Sequence, residues 1–188
     1  MHRLGENISR PLRRMVLNSP QENPKMSESP ILYEEQDSVA LVTLNRPANL
    51  NSLNHETHQA LWQAFDRAEA NPAMRAMVLT GAGRGFCAGA DLKSFSGNTE
   101  QVISTVPEPK NEVVLGDIFN SLHKPCIAKV HAPVYAGGFL IVCGCTHVIA
   151  SKNATFSLPE VKRGLFPFQV MQSMLQIMPA RTVLDWCI

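Results

Sequence analysis

The sequence predicts an α/β chain. Short apolar runs bounded by turn residues recur along it, at Ile31–Glu35, Val39–Leu44, Ala76–Thr80, Pro125–Val130 and His147–Ser151. Stretches with apolar residues at helical spacing lie between them, and the strand–strand–helix rhythm implies several short crossovers. No internal sequence repeat accompanies that rhythm.

Each element has a local reason. Ile31–Glu35 and Val39–Leu44 flank a turn at Gln36–Ser38, and Asn45-Arg46-Pro47 ends the second strand because proline cannot donate to a ladder. Asn54 suits a helix N-cap, after which Thr57, Leu61, Ala64, Phe65 and Ala68 repeat at helical spacing as far as Asn71-Pro72. Ala76–Thr80 reads as a short buried strand. Gly81–Gly89 then carries four glycines in nine residues, a loop of special geometry. Ser94–Pro109 is polar and irregular. Glu112–Leu122 reads as a helix, Pro125–Val130 as a strand, and Gly137–Cys145 as an apolar helix opened by two glycines. His147–Ser151 is a further strand and Ala154–Ser157 a short extended piece. Val170–Met178 and Ala180–Ile188 are expected helices. Met171, Met174 and Met178 recur at helical spacing, as core or subunit contacts do.

Composition narrows the function classes. The 188 residues are 45% hydrophobic, enough for a core, and carry 17 Lys and Arg against 16 Asp and Glu for a net charge of +1. Near-neutrality provides no general field for gripping nucleic acid or an anionic membrane. An anionic ligand would have to be held by local groups. Five cysteines show no C-x-x-C spacing and sit mostly in apolar runs, which fits reduced thiols packed as small core residues. No metal-site spacing occurs. The longest nearly apolar stretch, Ala132–Cys145, is shorter than the ~20 residues of a spanning helix and is broken by Gly137 and Gly138, so a soluble protein is expected. Residues 1–30 hold Arg3, Arg10, Arg13 and Arg14 and little periodicity. They read as a tail outside a 31–188 folded domain. A mitochondrial presequence is the rival reading, spoiled by Glu6 and Glu22, and Met26 is an alternative start. The expected location is cytoplasmic, or the mitochondrial matrix if residues 1–30 are a presequence. At the other end Leu184, Trp186 and Ile188 lack a glycine cap or polar tail, so the chain reads as cut short or covered by something else.

Three segments carry the chemistry. Gly81–Leu92 runs from a buried strand through small residues Ala88, Gly89 and Ala90 to Asp91-Leu92, a plausible helix start. Unpaired N–H groups at such a place suit an anion or a developing oxyanion; an ordinary tight turn would use the same residues. A dinucleotide fingerprint fits the letters Gly83-x-Gly85-x-x-Ala88, but polar loop rather than a long helix follows. Lys124–Phe139 repeats the construction: strand, small residues, then Gly137-Gly138 at a helix start. Ala154–Leu165 places Glu160 after a proline in an apolar setting, where a carboxyl group can exchange protons, although a lone glutamate is more often a solvated surface charge. Among the six histidines, His55 and His58 are expected to be solvated, and His131, near the glycine turn, is the one worth testing. A nucleophilic triad has no G-x-S-x-G elbow to rest on.

Together, NRPANLNSLN, MVLTGAGRGFCAGADLKSF, KPCIAKVHAPVYAGGF and CTHVIASKNATFSLPEVKRGLFP resemble the crotonase superfamily, the enoyl-CoA hydratases and isomerases, over about Ile31–Ile188. The resemblance implies a crotonase-like spiral of ββα units lacking its C-terminal helical part. It implies an acyl-CoA thioester as the ligand, no separate cofactor and no metal, and a homo-oligomer, trimer or hexamer. It implies that the Ala90 and Gly137 N–H groups hold the thioester oxygen as it becomes an enolate, with Glu160 as acid and base. Ala48, Leu50, Ala88 and Leu92 would line the thioester path, with Gly89, Asp91, Gly138 and Pro159 completing the substrate-binding set. The second glutamate of family hydratases falls on Leu140, which cannot activate water, so proton shuttling by Glu160 alone, as in enoyl-CoA isomerases, is expected over hydration. Phe168 stands where dienoyl isomerases are acidic. Thr146-His147 replaces an Asp-apolar pair and is expected to be structural. A non-catalytic acyl-CoA binder is the alternative, and a thioester hydrolase or decarboxylase a more distant one.

Overall fold

The computed structural model describes residues 29–91 and 115–188. The tail at 1–28, the polar segment at 94–109, the start of the helix expected from Glu112, and Leu92 lie outside the described residues.

A five-stranded sheet forms the body of the molecule. Its strands are β1 (Ile31–Gln36), β2 (Val39–Leu44), β3 (Ala76–Gly81), β4 (Cys126–Val130) and β6 (His147–Ala150), in that spatial order. β1 and β2 are antiparallel and joined by a tight turn in which Asp37 and Ser38 take positive φ of 47° and 67°, the twist that suits a two-residue hairpin. The pairings β2–β3, β3–β4 and β4–β6 are parallel. The inward residues align in rows across the sheet: Ala40, Met77 and Cys126 in one, Val42, Leu79 and Ala128 in the next, all fully buried. Alternation along β2 and β3 thus follows from one face being buried and the other only partly covered.

Helix α1 (His55–Ala70) starts at Asn54, whose side chain accepts from the Thr57 N–H at 2.9 Å and the Thr57 hydroxyl at 2.7 Å, as an N-cap does. Its buried stripe includes Leu61, Ala64, Phe65 and Ala68. Lys124 closes the other end of α1, its ammonium donating to the carbonyls of Ala68, Glu69 and Asn71 at 2.7–2.8 Å. Helix α2 (Leu115–Asn120) sets Phe119 edge-on against Phe65, ring centres 5.5 Å apart.

After β4 the chain makes β5 (Val134–Tyr135), which pairs in parallel with β7 (Phe156–Ser157) in a separate two-stranded sheet. The sequence reading had no strand at Val134–Tyr135: two residues are too few to show a period, and the pairing partner is distant. Helix α3 (Gly138–Gly144) sits between β5 and β6. Thr146 is structural as expected: its hydroxyl donates to the Cys126 carbonyl at 2.8 Å and accepts from the Cys126 N–H at 3.0 Å. A 3-10 turn (Val161–Arg163), α4 (Phe168–Leu175) and α5 (Ala180–Cys187) complete the described chain. α4 begins two residues before the expected Val170 and ends before Met178. Met174 is fully buried, and Met171 and Met178 pack against the same core. Among the described residues the cysteines are free thiols, no His, Cys, Asp and Glu grouping could hold a metal, and no helix is long and apolar enough to cross a membrane.

Candidate active site

Parallel strands bring their carboxyl ends to one edge of a sheet, and loops leaving adjacent strands must meet there. β3 and β4 are such neighbours. The loop after β3, residues 81–90, meets the loop after β4, residues 131–137. Cys87 bridges to Val134, with Phe86 N–H donating to Pro133 C=O at 3.0 Å and Tyr135 N–H to Cys87 C=O at 2.9 Å. Ala90 bridges to Leu53, and both hydrogen bonds of that bridge use the residues flanking Ala90: Leu53 N–H to Gly89 C=O at 2.8 Å and Asp91 N–H to Leu53 C=O at 2.9 Å. The Ala90 N–H is left over.

The Gly137 N–H is left over as well. Ala136 donates to Ser157 at 3.1 Å, Phe139 donates back to the Ala136 carbonyl at 2.9 Å, and Leu140 to the Gly137 carbonyl at 3.1 Å. Neither the Ala90 nor the Gly137 N–H has a hydrogen-bond partner among the described residues. The two groups are close: a Cβ placed on Gly137 would lie 3.4 Å from the Ala90 nitrogen and 3.4 Å from the Gly89 Cα. Ala90 is exposed and Gly137 partly so. Two unpaired main-chain donors therefore stand side by side on an open surface, which is the construction that holds a developing oxyanion. Glycine is required beside them for space. Gly89 has φ +83°, and a Cβ there would lie 2.7 Å from the Ala136 Cβ; one on Gly138 would lie 2.8 Å from the Cys87 carbonyl oxygen.

Glu160 follows Pro159 and leads into the 3-10 turn, its carbonyl accepting from Arg163 at 2.8 Å and Leu165 at 3.0 Å. Gly164, at φ +70°, closes the turn. The carboxylate Oε2 is buried and has no hydrogen-bond partner among the described residues. That is unusual for a buried carboxyl oxygen. Its charge reaches α5, where burial first and the Glu160 carboxylate second push the Cys187 thiol up from its ordinary value. Leu140, at the place of a second glutamate, is half-buried and packs on the hydrophobic core. Asp117 lies exposed on α2.

The loops after β3 and β4, with Leu50, form a cleft of about 190 Å³ lined by Leu50, Arg84, Gly85, Ala88, Pro133 and Tyr135, a lining that does not include Ala90, Gly137 or Glu160. Leu50 and Ala88 were both expected to line a ligand path, and Ala88 N–H donates to Leu50 C=O at 3.0 Å. Ala48 is exposed in a 3-10 turn over Pro47–Asn49 and is not part of that lining. Asp91 is buried and takes an ion pair from Arg46 at 2.8 Å, which anchors the chain just after Ala90; the helix start expected at Asp91-Leu92 runs into residues outside those described.

Two residues at this site escaped the sequence reading. Asn51 is 1% exposed. Its amide donates to the Ala82 and Gly85 carbonyls at 2.9 and 2.8 Å while its oxygen accepts from Arg46 N–H at 2.9 Å. Leu50 and Asn51 both have positive φ, 52° and 56°; the Asn-rich run NLNSLN was the available signal, since asparagine tolerates that region. Arg46 was noticed only as part of a strand end.

Other candidates recede. His131 is tied by Nε2 to the Gly83 carbonyl at 2.8 Å and braces the glycine loop. His58 is not solvated as expected: it is half-buried, and burial, with the neighbouring His55 second, lowers its pKa below the ordinary value. Burial pushes the Cys87 thiol up to about 12 and Cys143 up to about 11, so neither is a thiolate nucleophile near neutrality. Cys145 is raised too, chiefly by its contact with Cys126 at 3.6 Å and then by burial.

Comparison with known proteins shows the family. A family profile described as enoyl-CoA hydratase/isomerase matches residues 34–186. The chain is 40% identical over 131 residues to a mevalonyl-coenzyme A hydratase of Aspergillus fumigatus, covering 68% of this chain and 46% of the relative. It is 36% identical over 144 residues to the 1,2-epoxyphenylacetyl-CoA isomerase of Escherichia coli, covering 73% and 53%. It superposes on a carnitinyl-CoA dehydratase from Mycobacterium avium with a TM-score of 0.73 at 31% identity, covering 85% of this chain and 62% of that one. The chain thus spans about half the length of the curated relatives it matches. With that match covering nearly all of the described fold, the chain belongs to the enoyl-CoA hydratase/isomerase family.

Proposed function

We propose that the protein shifts the double bond of an enoyl-CoA thioester, using Ala90 and Gly137 as oxyanion donors and Glu160 as the sole acid and base. The observation that carries this reading is the pair of neighbouring N–H groups that have no partner among the described residues, on an exposed Ala90 and a partly exposed Gly137. The buried, unpartnered Oε2 of Glu160 supports it. In a 3-enoyl thioester, the Glu160 carboxylate takes a proton from C2. The electron pair moves to the thioester oxygen, which the two N–H groups hold. Collapse of the dienolate returns electrons to the thioester carbonyl while C4 takes the same proton from Glu160, leaving a 2-enoyl product. Preorganised donors favour the enolate over the ground state, and one such donor is typically worth ~3 kcal/mol of barrier. Leu140 supports isomerisation over hydration, because a hydrocarbon wall can neither activate water nor relay its proton. The cleft by Leu50 and Ala88 is proposed to take part of the thioester, and no cofactor beyond the CoA moiety is needed.

The test is incubation of the full chain with 3-enoyl-CoA and, separately, trans-2-enoyl-CoA. Interconversion without 3-hydroxyacyl product is expected. Glu160→Gln should lower kcat by about 10²-fold or more and leave thioester binding in place. Acyl-CoA binding without conversion of either substrate would instead favour a non-catalytic binder, the reading that Leu140 also permits.

A further inference from the structure

We infer that Ala136 is a positioning residue: its methyl group, seated in the notch left by the missing side chain of Gly89, sets the separation of the Ala90 and Gly137 N–H groups. The inference rests on the enoyl-thioester reading of that pair. Ala136 immediately precedes Gly137 and has φ +49°, a conformation glycine adopts freely and an L-residue does not. An alanine there is kept against its own backbone preference, so what its Cβ touches matters. A Cβ built on Gly89 would fall 2.7 Å from the Ala136 Cβ and 2.8 Å from the Gly137 nitrogen. The side of Gly89 that a methyl would fill is thus already occupied by the Ala136 methyl and by the donor nitrogen itself. Gly89, at φ +83°, in turn immediately precedes Ala90. Next to the two donors, the turns touch through this knob and notch.

The knob cannot swing away. Ala136 N–H is tied to Ser157 C=O at 3.1 Å, its carbonyl to Phe139 N–H at 2.9 Å, and the preceding Tyr135 N–H to Cys87 C=O at 2.9 Å. Replacing Ala136 by glycine would remove the contact while relieving the backbone, so the turns could close or slide without a loss of fold. Serine would keep the Cβ.

The full chain and its Ala136→Gly and Ala136→Ser variants should be compared in two readouts: turnover of 3-enoyl-CoA, and the enolate absorption of bound acetoacetyl-CoA. Ala136→Gly is expected to lower kcat about tenfold or more, since misplacement of under an ångström at a reacting centre is costly. Its KM should stay near wild type, its enolate band should weaken, and its thermal midpoint should not fall. Ala136→Ser should restore both kcat and the band. Wild-type kcat and band in Ala136→Gly would overturn the inference, as would equal losses in both variants. If the wild type shows the band but no turnover, the isomerase reading fails, and the positioning of the donors is decided by the band in the two variants. If the wild type shows neither, the donors do not act as a pair and the inference falls with them.

Discussion

Replacing Asn51 should loosen the wall of the cleft at Leu50 and Gly85 and destabilise the fold together. Its side chain makes three hydrogen bonds: two join the 46–51 segment to the loop after β3, and one closes that segment on itself at Arg46 N–H. At ~1 kcal/mol net for each, Asn51→Ala loses about 3 kcal/mol, and the positive φ of 56° suits alanine less well than asparagine. The informative variant is Asn51→Asp. It keeps the oxygen that accepts from Arg46 N–H but turns a second oxygen toward the Ala82 and Gly85 carbonyls. An ionised carboxylate is repelled there, whereas a protonated one can donate to one of them. The folded pKa of the new group must therefore lie above its unfolded value of ~3.9. The sign follows: the variant's deficit against wild type is full above the folded pKa and shrinks as pH falls through it. Urea unfolding of wild type, Asn51→Ala and Asn51→Asp, from neutral to mildly acidic pH, measures this. With m of about 1–3 kcal/mol/M, the alanine midpoint should fall by roughly 1–3 M. An Asn51→Asp protein as stable as wild type at neutral pH, or a deficit that grows on acidification, would refute the reasoning.

Other outcomes follow from the same structure. Lys124→Met keeps the aliphatic stem but leaves the carbonyls of Ala68, Glu69 and Asn71 without their shared ammonium, and a loss of about 1.5–3 kcal/mol in chemical denaturation is expected for these charged hydrogen bonds. His58 has a folded pKa below its ordinary 6.5, so the unfolded chain binds the extra proton first and stability falls as pH drops below that value. Replacing His58 by glutamine should flatten this acid limb of the stability curve, and a slope unchanged from wild type would contradict it.

Strands and α1 were legible in the sequence because each has a local period or cap: alternation in Val39–Leu44, the helical stripe from Thr57 to Ala68, and Asn54 at its start. The glycine loops were legible as loops, and the family resemblance, rather than spacing alone, singled out Ala90 and Gly137 within them. What stayed hidden depends on distant partners. β5 is two residues long and exists only because β7 and Cys87 lie beside it. His58 sits on a helix face that looked solvated, yet tertiary packing half-buries it. Asn51 looked like one more loop asparagine until the Ala82–Gly85 segment folded over it. The Asp91–Arg46 ion pair joins residues 45 apart in the chain, and Arg46 lies in a segment the reading took only for a strand end.

The ring of Phe139, two residues beyond Gly137, meets Phe156 at 5.9 Å and Trp186 at 5.6 Å, both edge-on. One indole thus couples α5 to the helix that opens at the Gly137 turn. Trp62, the other tryptophan, sits on the outer face of α1. With Trp62 replaced by phenylalanine, the molecule would carry a single native fluorophore whose emission follows the packing at that turn in real time.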